Sequence, residues 1–338
     1  QPSRIALAVA TALACGTTLA APTGKPGPAP SKPVSLDASD FKPTSGCEKL
    51  EGYDPQWANH GDDYGLNQPE SKADKPKGDK DKKPQYVWGF YQMHEHDGTL
   101  YAAFGGKMAK NITPGALVAL DADTLALKNT IKLPFATHAL ALSQDGKRAI
   151  ATHTYVNAFS LVNLADGKIT CRKADTDVKG QKYRGRYVVL DEAGNFYINY
   201  NTFAPGKPPS YLMKYTPEGE HAPGFAVQSI GNGLVIPLAY LDGRVLTGTH
   251  GVTAVDPKTG ATSPLTGMDE GLNVYNYVAG PGKQLLASVY GVGALPNLLL
   301  IDPATGARSS LLTGSGTVEV GYSPESGQVF STNYESHT

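Results

Sequence analysis

An all-β fold, a β-propeller of repeated four-stranded sheets, is what this 338-residue sequence predicts, and three observations predict it. The first is periodicity. A Gly-containing turn between alternating apolar residues recurs as HDGTLYAAF, QDGKRAIAT, EAGNFYINY, LDGRVLTGT, GPGKQLLAS and ESGQVFSTN. Its glycines, Gly98, Gly146, Gly194, Gly243, Gly282 and Gly327, are spaced by 48, 48, 49, 39 and 45 residues. A period of that size marks a unit that buries its faces against its neighbours. The second is an interleaved turn signal: ALVALDADT, FSLVNLADG, LMKYTPEG, VTAVDPKTG and LLLIDPATG, beginning at 116, 159, 212, 252 and 298. In each an apolar strand ends at a turn, where Pro often fixes φ and Gly closes the reversal. Two hairpin turns per repeat require four strands. The third is composition, since 38 Gly and 25 Pro suit many short strands better than long helices.

Residues 1–20 hold Arg4 followed by IALAVATALACGTTLA, an apolar run of signal-peptide length that is too short to span a membrane. The expected product is exported to the periplasm with no transmembrane span. Either cleavage follows Thr18-Leu19-Ala20, or Cys15 receives a lipid anchor. Residues 21–46 (APTGKPGPAPSKP at their start) are too poor in apolar side chains to pack, and they read as a flexible tether. Residues 47–85 form an arm whose Cys47, Tyr53 and Trp57 suggest packing on the main domain, and whose end, ESKADKPKGDKDKKP, reads as a solvated Lys-rich loop. Residues 86–338 carry the repeats, and their last one, YSPESGQVFSTNYESHT, stops before its second hairpin, so the propeller reads as truncated at its C-terminus. With Cys15 processed, Cys47 and Cys171 remain, either as one disulfide in an oxidising compartment or as two buried thiols.

Within the repeats, ALVALDADTLALKNTIKLPFATHALALSQDGK and the terminal VEVGYSPESGQVFSTNYESHT resemble the YncE family of exported YVTN-type propellers. That resemblance covers residues 86–338. It implies a seven-bladed periplasmic ring with single-stranded DNA as a suggested ligand, and it supplies no catalytic residues.

The strand preceding each repeat glycine should be innermost, so its end lines the channel mouth where propellers bind ligands. That phase puts Trp88, His138, Arg184, Arg186, Tyr187, Tyr240 and Tyr277 in or near innermost strands. Cationic and aromatic side chains in one ring are the combination that holds phosphates and stacks bases. The alternative is that the tyrosines fill the gaps between blades. KGQKYRGRY, residues 179–187, is the densest basic-aromatic segment, and it reads either as an anion site or as a solvated loop.

A net charge of −1 gives no global field for a polyanion, so any nucleic-acid affinity must be local. His94, His96, His138, His153 and His250 lack carboxylate partners at ligand spacing, and no metal or cofactor is expected. Asp121, Asp256 and Asp302 recur at matching positions and read as turn builders. GxSxG, HExxH and phosphate-loop motifs are absent, which favours a binding or scaffold protein over an enzyme. An envelope interaction module assisting uptake of a ligand remains open, as does a lactonase- or quinoprotein-like enzyme with its site in the channel.

Overall fold

The computed structural model describes residues 90–333, without 105–114, 136, 154–157, 174–176, 179–180, 183, 202–209, 229–236, 249–251, 266–273, 290–297, 312 and 314–316. Trp88, Cys47 and Cys15, with the expected signal, tether and arm, lie outside these residues.

The described chain folds as five four-stranded antiparallel sheets and a sixth of two strands, each sheet in strict chain order. The first contains β1 (Phe90–His96), β2 (Thr99–Phe104), β3 (Gly115–Asp121) and β4 (Leu127–Leu133). The second contains β5 (Ala139–Leu142), β6 (Arg148–His153), β7 (Ala158–Asn163) and β8 (Ile169–Lys173). A short hairpin, β9 (Asp177–Val178) with β10 (Gln181–Lys182), precedes the third sheet. That third sheet comprises β11 (Arg184–Leu190), β12 (Phe196–Asn201), β13 (Tyr211–Tyr215) and β14 (His221–Gln228). The fourth comprises β15 (Leu238–Leu241), β16 (Arg244–Thr247), β17 (Thr253–Val255) and β18 (Thr262–Pro264). The fifth has β19 (Val274–Ala279), β20 (Leu285–Val289), β21 (Leu298–Ile301) and β22 (Arg308–Leu311), and the sixth has β23 (Thr317–Tyr322) and β24 (Val329–Asn333).

The turn signals carry this order. All six repeat glycines have positive φ, between 61° and 80°, and each ends the turn between the first two strands of its sheet. The recurring aspartates act at the second turn. Asp121 Oδ1 accepts the Thr124 N–H at 2.9 Å, Asp256 Oδ1 those of Lys258 and Thr259 at 2.8 and 2.7 Å, and Asp302 Oδ1 that of Ala304 at 2.8 Å. A carboxylate accepting its own turn's N–H groups is a turn builder, as the repeats imply.

The first strand of each sheet is innermost. β1 packs on β5, β5 on β11, β11 on β15, β15 on β19, β19 on β23, and β23 back on β1. The closing contact is direct. Asp97 N donates to Glu325 Oε2 at 2.6 Å, His96 Nδ1 lies 3.3 Å from Glu325 Oε1, and Ser323 Oγ donates to Glu95 Oε2. Among the described residues there are five four-stranded blades and the two-stranded sheet β23–β24, and the seven-bladed ring implied by the resemblance is not confirmed. At this seam a Cβ on Gly321 would lie 2.7 Å from the Met93 carbonyl oxygen, so glycine is what lets β23 and β1 approach this closely.

Between sheets the alternate faces bury one another. Phe159 meets Phe196 and Tyr215 at centroid distances of 5.2 and 5.0 Å, and Phe196 stacks on Tyr215 at 5.1 Å, so rings from sheets two and three fill one layer. Inside it the Tyr200 and Tyr215 hydroxyls bond each other at 2.8 Å, which satisfies two polar tips in an apolar layer. Cys171, half-buried on β8, is disulfide-bonded.

Candidate functional site in the channel

The two faces of the ring differ in their connections. On one face β1 joins β2, and β3 joins β4, through short turns. At the other, second strands end, third strands begin, and the last strand of one sheet gives way to the first of the next. Innermost strands begin at this second face.

At this same end four innermost strands depart from regular pairing, between Phe90 and Met93 on β1, Gly185 and Val188 on β11, Val274 and Asn276 on β19, and Thr317 and Glu319 on β23. A bulge turns side chains out of the alternation and releases backbone groups from the ladder. Side chains take up the released donors. Asn199 Oδ1 accepts the Tyr187 N–H at 2.8 Å, and Ser288 Oγ accepts that of Asn276 at 3.0 Å.

The re-aimed side chains meet inside the ring. Arg186 Nε donates to His138 Nε2, and the Arg186 guanidinium carbon lies 5.8 Å from the Tyr187 ring centre. The His138 ring is 5.5 Å from the same ring. Opposite them, on the sixth sheet, Glu319 accepts from the Tyr187 hydroxyl at Oε1, at 3.4 Å, and from Asn276 Nδ2 at Oε2. Sheets two, three, five and six thus each supply a polar group to one level of the channel. Arg186 is 6% exposed, His138 9%, Glu319 1% and Asn276 0%.

Burial decides their protonation. It pushes the Glu319 carboxyl up to about 8, against the pull of the Arg186 charge and the bonds from Asn276 and Tyr187. His138 is held well below its ordinary value, first by burial and then by Arg186, so its imidazole is neutral. Near pH 7 the group holds a guanidinium cation, a neutral imidazole and a protonated acid. That set suits an anion.

Of the residues expected at the mouth, His138, Arg186 and Tyr187 come together here. Arg184 is also buried, opposite Asn201 in the ladder. Tyr277 is at the same end but lies between sheets four and five, fully buried, with its hydroxyl donating to the Pro237 carbonyl at 3.1 Å. Tyr240 lies elsewhere: burial raises its hydroxyl, followed by the carboxylates of Glu192 and Asp191, which belong to the short-turn face. The histidines do not converge. His153 bonds Ser160 at 2.7 Å and packs on Phe135, His94 bonds the Leu140 carbonyl at 2.7 Å, and His250 lies outside the described residues. Among the described residues no three His, Cys, Asp or Glu side chains group as a metal site would require, and no helix is long and apolar enough to cross a membrane.

Glu319 and Asn276 were not expected from the sequence, yet the repeats hold a signal for one of them. Glu319, Arg186 and His138 each stand eight residues before their repeat glycine, Gly327, Gly194 and Gly146. Asn276 escapes that alignment because its turn is a 3-10 segment, Pro281–Lys283, which shifts the count.

The sequence matches no family model and no curated protein. Solved propellers resemble the fold. A gluconolactonase from Xanthomonas campestris aligns over 74% of this chain and 84% of its own, with 13% identity and a TM-score of 0.53. A calcium-binding protein, regucalcin, from Agrobacterium tumefaciens aligns over 74% and 83%, with 12% identity and a TM-score of 0.51. Kuenenia stuttgartiensis hydrazine synthase covers 78% of this chain and 97% of its own, with 14% identity and a TM-score of 0.49. At such identities the likeness concerns the fold alone: this chain is an all-β propeller of four-stranded antiparallel blades.

Proposed function

We propose that this protein is a binding propeller that takes a small anionic ligand at the end of its channel where the innermost strands begin, with Arg186 as the cation that holds it. One observation carries the reading: Arg186, His138 and Glu319 converge from three sheets at the same repeat offset. Burying a charge and its polar neighbours costs several kcal/mol that apolar packing would not, and such clusters gather at functional sites.

The ligand is a small molecule rather than a strand of nucleic acid. Tyr187 and Tyr277 are 0% exposed, so their rings are covered and do not offer faces on which bases stack. On its export signal and its YncE-type repeats the protein works in the periplasm, where capture of a small acid, alone or for an envelope partner, is the role that fits. A second reading, a lactonase-like hydrolase, is supported by Glu319. A carboxyl titrating near neutrality beside a cation is suited to general acid–base chemistry. Turnover of a simple lactone by wild type, lost in Glu319→Gln, would favour it.

Titration calorimetry of the mature protein with formate, lactate, citrate and a labelled single-stranded oligonucleotide tests the binding reading. Small carboxylates should bind, and Arg186→Gln should weaken them about 10- to 100-fold, the worth of one charge-assisted hydrogen bond. Equal carboxylate affinity in that variant, or binding of the oligonucleotide alone, would contradict it.

A further inference from the structure

Glu319 faces Arg186 across the channel with a carboxyl bonded by the Tyr187 hydroxyl on one oxygen and by Asn276 on the other. Other groups on the elements packed against β23 are engaged elsewhere. On β1, His94 bonds the Leu140 carbonyl, while Glu95 bonds Ser323 and His96 pairs with Glu325, both toward the short-turn face. On β19, Tyr277 bonds the Pro237 carbonyl and Tyr275 is half-buried. β20 and β24 carry no charged residue. The Arg186 charge and the Tyr187 hydroxyl act on Glu319, and the Arg186 charge acts on His138.

We propose that the channel binds its ligand as an acid–anion pair, in which the protonated Glu319 carboxyl donates a hydrogen bond to a ligand carboxylate that lies against Arg186. This deepens the anion-site reading above and rests on it. Two carboxyl groups at hydrogen-bond distance in a dry site cannot both ionise, so they share one proton between them. The ligand class is then a monocarboxylic acid. A phosphate dianion would set two further charges against Glu319 and is disfavoured. The proton balance is simple. Where free Glu319 is already protonated, the ligand enters as its anion with no net exchange. Above the midpoint of the free site, about 8, binding takes one proton from solvent.

The test uses the mature protein, labelled with 13C at its Glu carboxyl carbons and 15N at Arg, with sodium formate against sodium chloride at equal ionic strength. Glu319, assigned by its disappearance in Glu319→Gln, should titrate near pH 8, and 0.1 M formate should raise its midpoint by roughly half a unit or more. The formate Kd should rise about tenfold from pH 8.5 to 9.5 in wild type and stay level in Glu319→Gln. That variant keeps the shape of a protonated acid, and equal far-UV spectra and thermal midpoints check its fold. Formate that moves the Arg186 Nε–H resonance while Glu319 keeps its midpoint, or whose Kd does not change with pH, overturns the acid–anion pair and leaves the anion site standing. Formate that moves neither group overturns both.

Discussion

Gly321→Val destabilises the protein by about 3 kcal/mol, the upper range for forcing extra atoms into a packed core. Gly321 lies on β23 where that strand is flush with β1, and the obstacle to a side chain is the Met93 carbonyl oxygen, 2.7 Å from the ideal Cβ position. Backbone cannot swing aside as the end of a long side chain does, so the two innermost strands must part. Parting them loosens the bonds from Ser323 to Glu95 and from Asp97 to Glu325, which close the ring between sheets six and one. Gly243 provides the control. Its ideal Cβ meets nothing within 4 Å, and its positive φ of 72° limits the cost of Gly243→Ala to about 1 kcal/mol. Equilibrium urea unfolding of the two variants distinguishes closure from turn strain. Gly321→Val with wild-type stability would mean that β23 and β1 are not in contact, and that the ring is open at this seam.

Phe159→Ala costs about 3–5 kcal/mol, the range for removing a large aromatic ring from a core. Phe159 is 0% exposed and touches both Phe196 and Tyr215, so its loss opens a cavity bounded by sheets two and three. Each sheet of a propeller buries its faces against its neighbours, and the third sheet also carries Arg186 and Tyr187. Anion binding should therefore fall together with stability. Loss below about 1 kcal/mol in the same unfolding experiment would mean that this aromatic layer does not join the two sheets.

The sheets were legible in the sequence because their turns are built from residues with local requirements. Gly98, Gly146 and the later repeat glycines supply positive φ, and Asp121, Asp256 and Asp302 bind their own turn N–H groups, whatever the rest of the chain does. That phase also identified the innermost strands, and with them His138, Arg186 and Tyr187. The close approach of β23 to β1 was less legible, because it depends on one glycine against one carbonyl from strands far apart in the chain. The accessibility of the site was hidden for a related reason. Alternation tells which face of a strand a residue takes, yet bulges on β1, β11, β19 and β23 break that alternation just where the polar residues lie. KGQKYRGRY therefore read either as an anion site or as a solvated loop, and its Arg184, Arg186 and Tyr187 are buried. Glu319, in the unremarkable text TVEVGY, stands out only when the repeats are aligned on their glycines.

On the anion-site reading, the polar cluster in the channel is kept for a ligand and not to hold the ring together. Replacing it whole tests this most directly: His138→Leu, Arg186→Met and Glu319→Leu combined, with stability measured by urea unfolding and formate binding by calorimetry. Well-packed apolar replacements of a buried ionic group are often neutral or stabilising by about 1–4 kcal/mol. The triple variant should be at least as stable as wild type and should have lost formate binding. A variant destabilised by about 3 kcal/mol or more, or one that binds formate as wild type does, would contradict it.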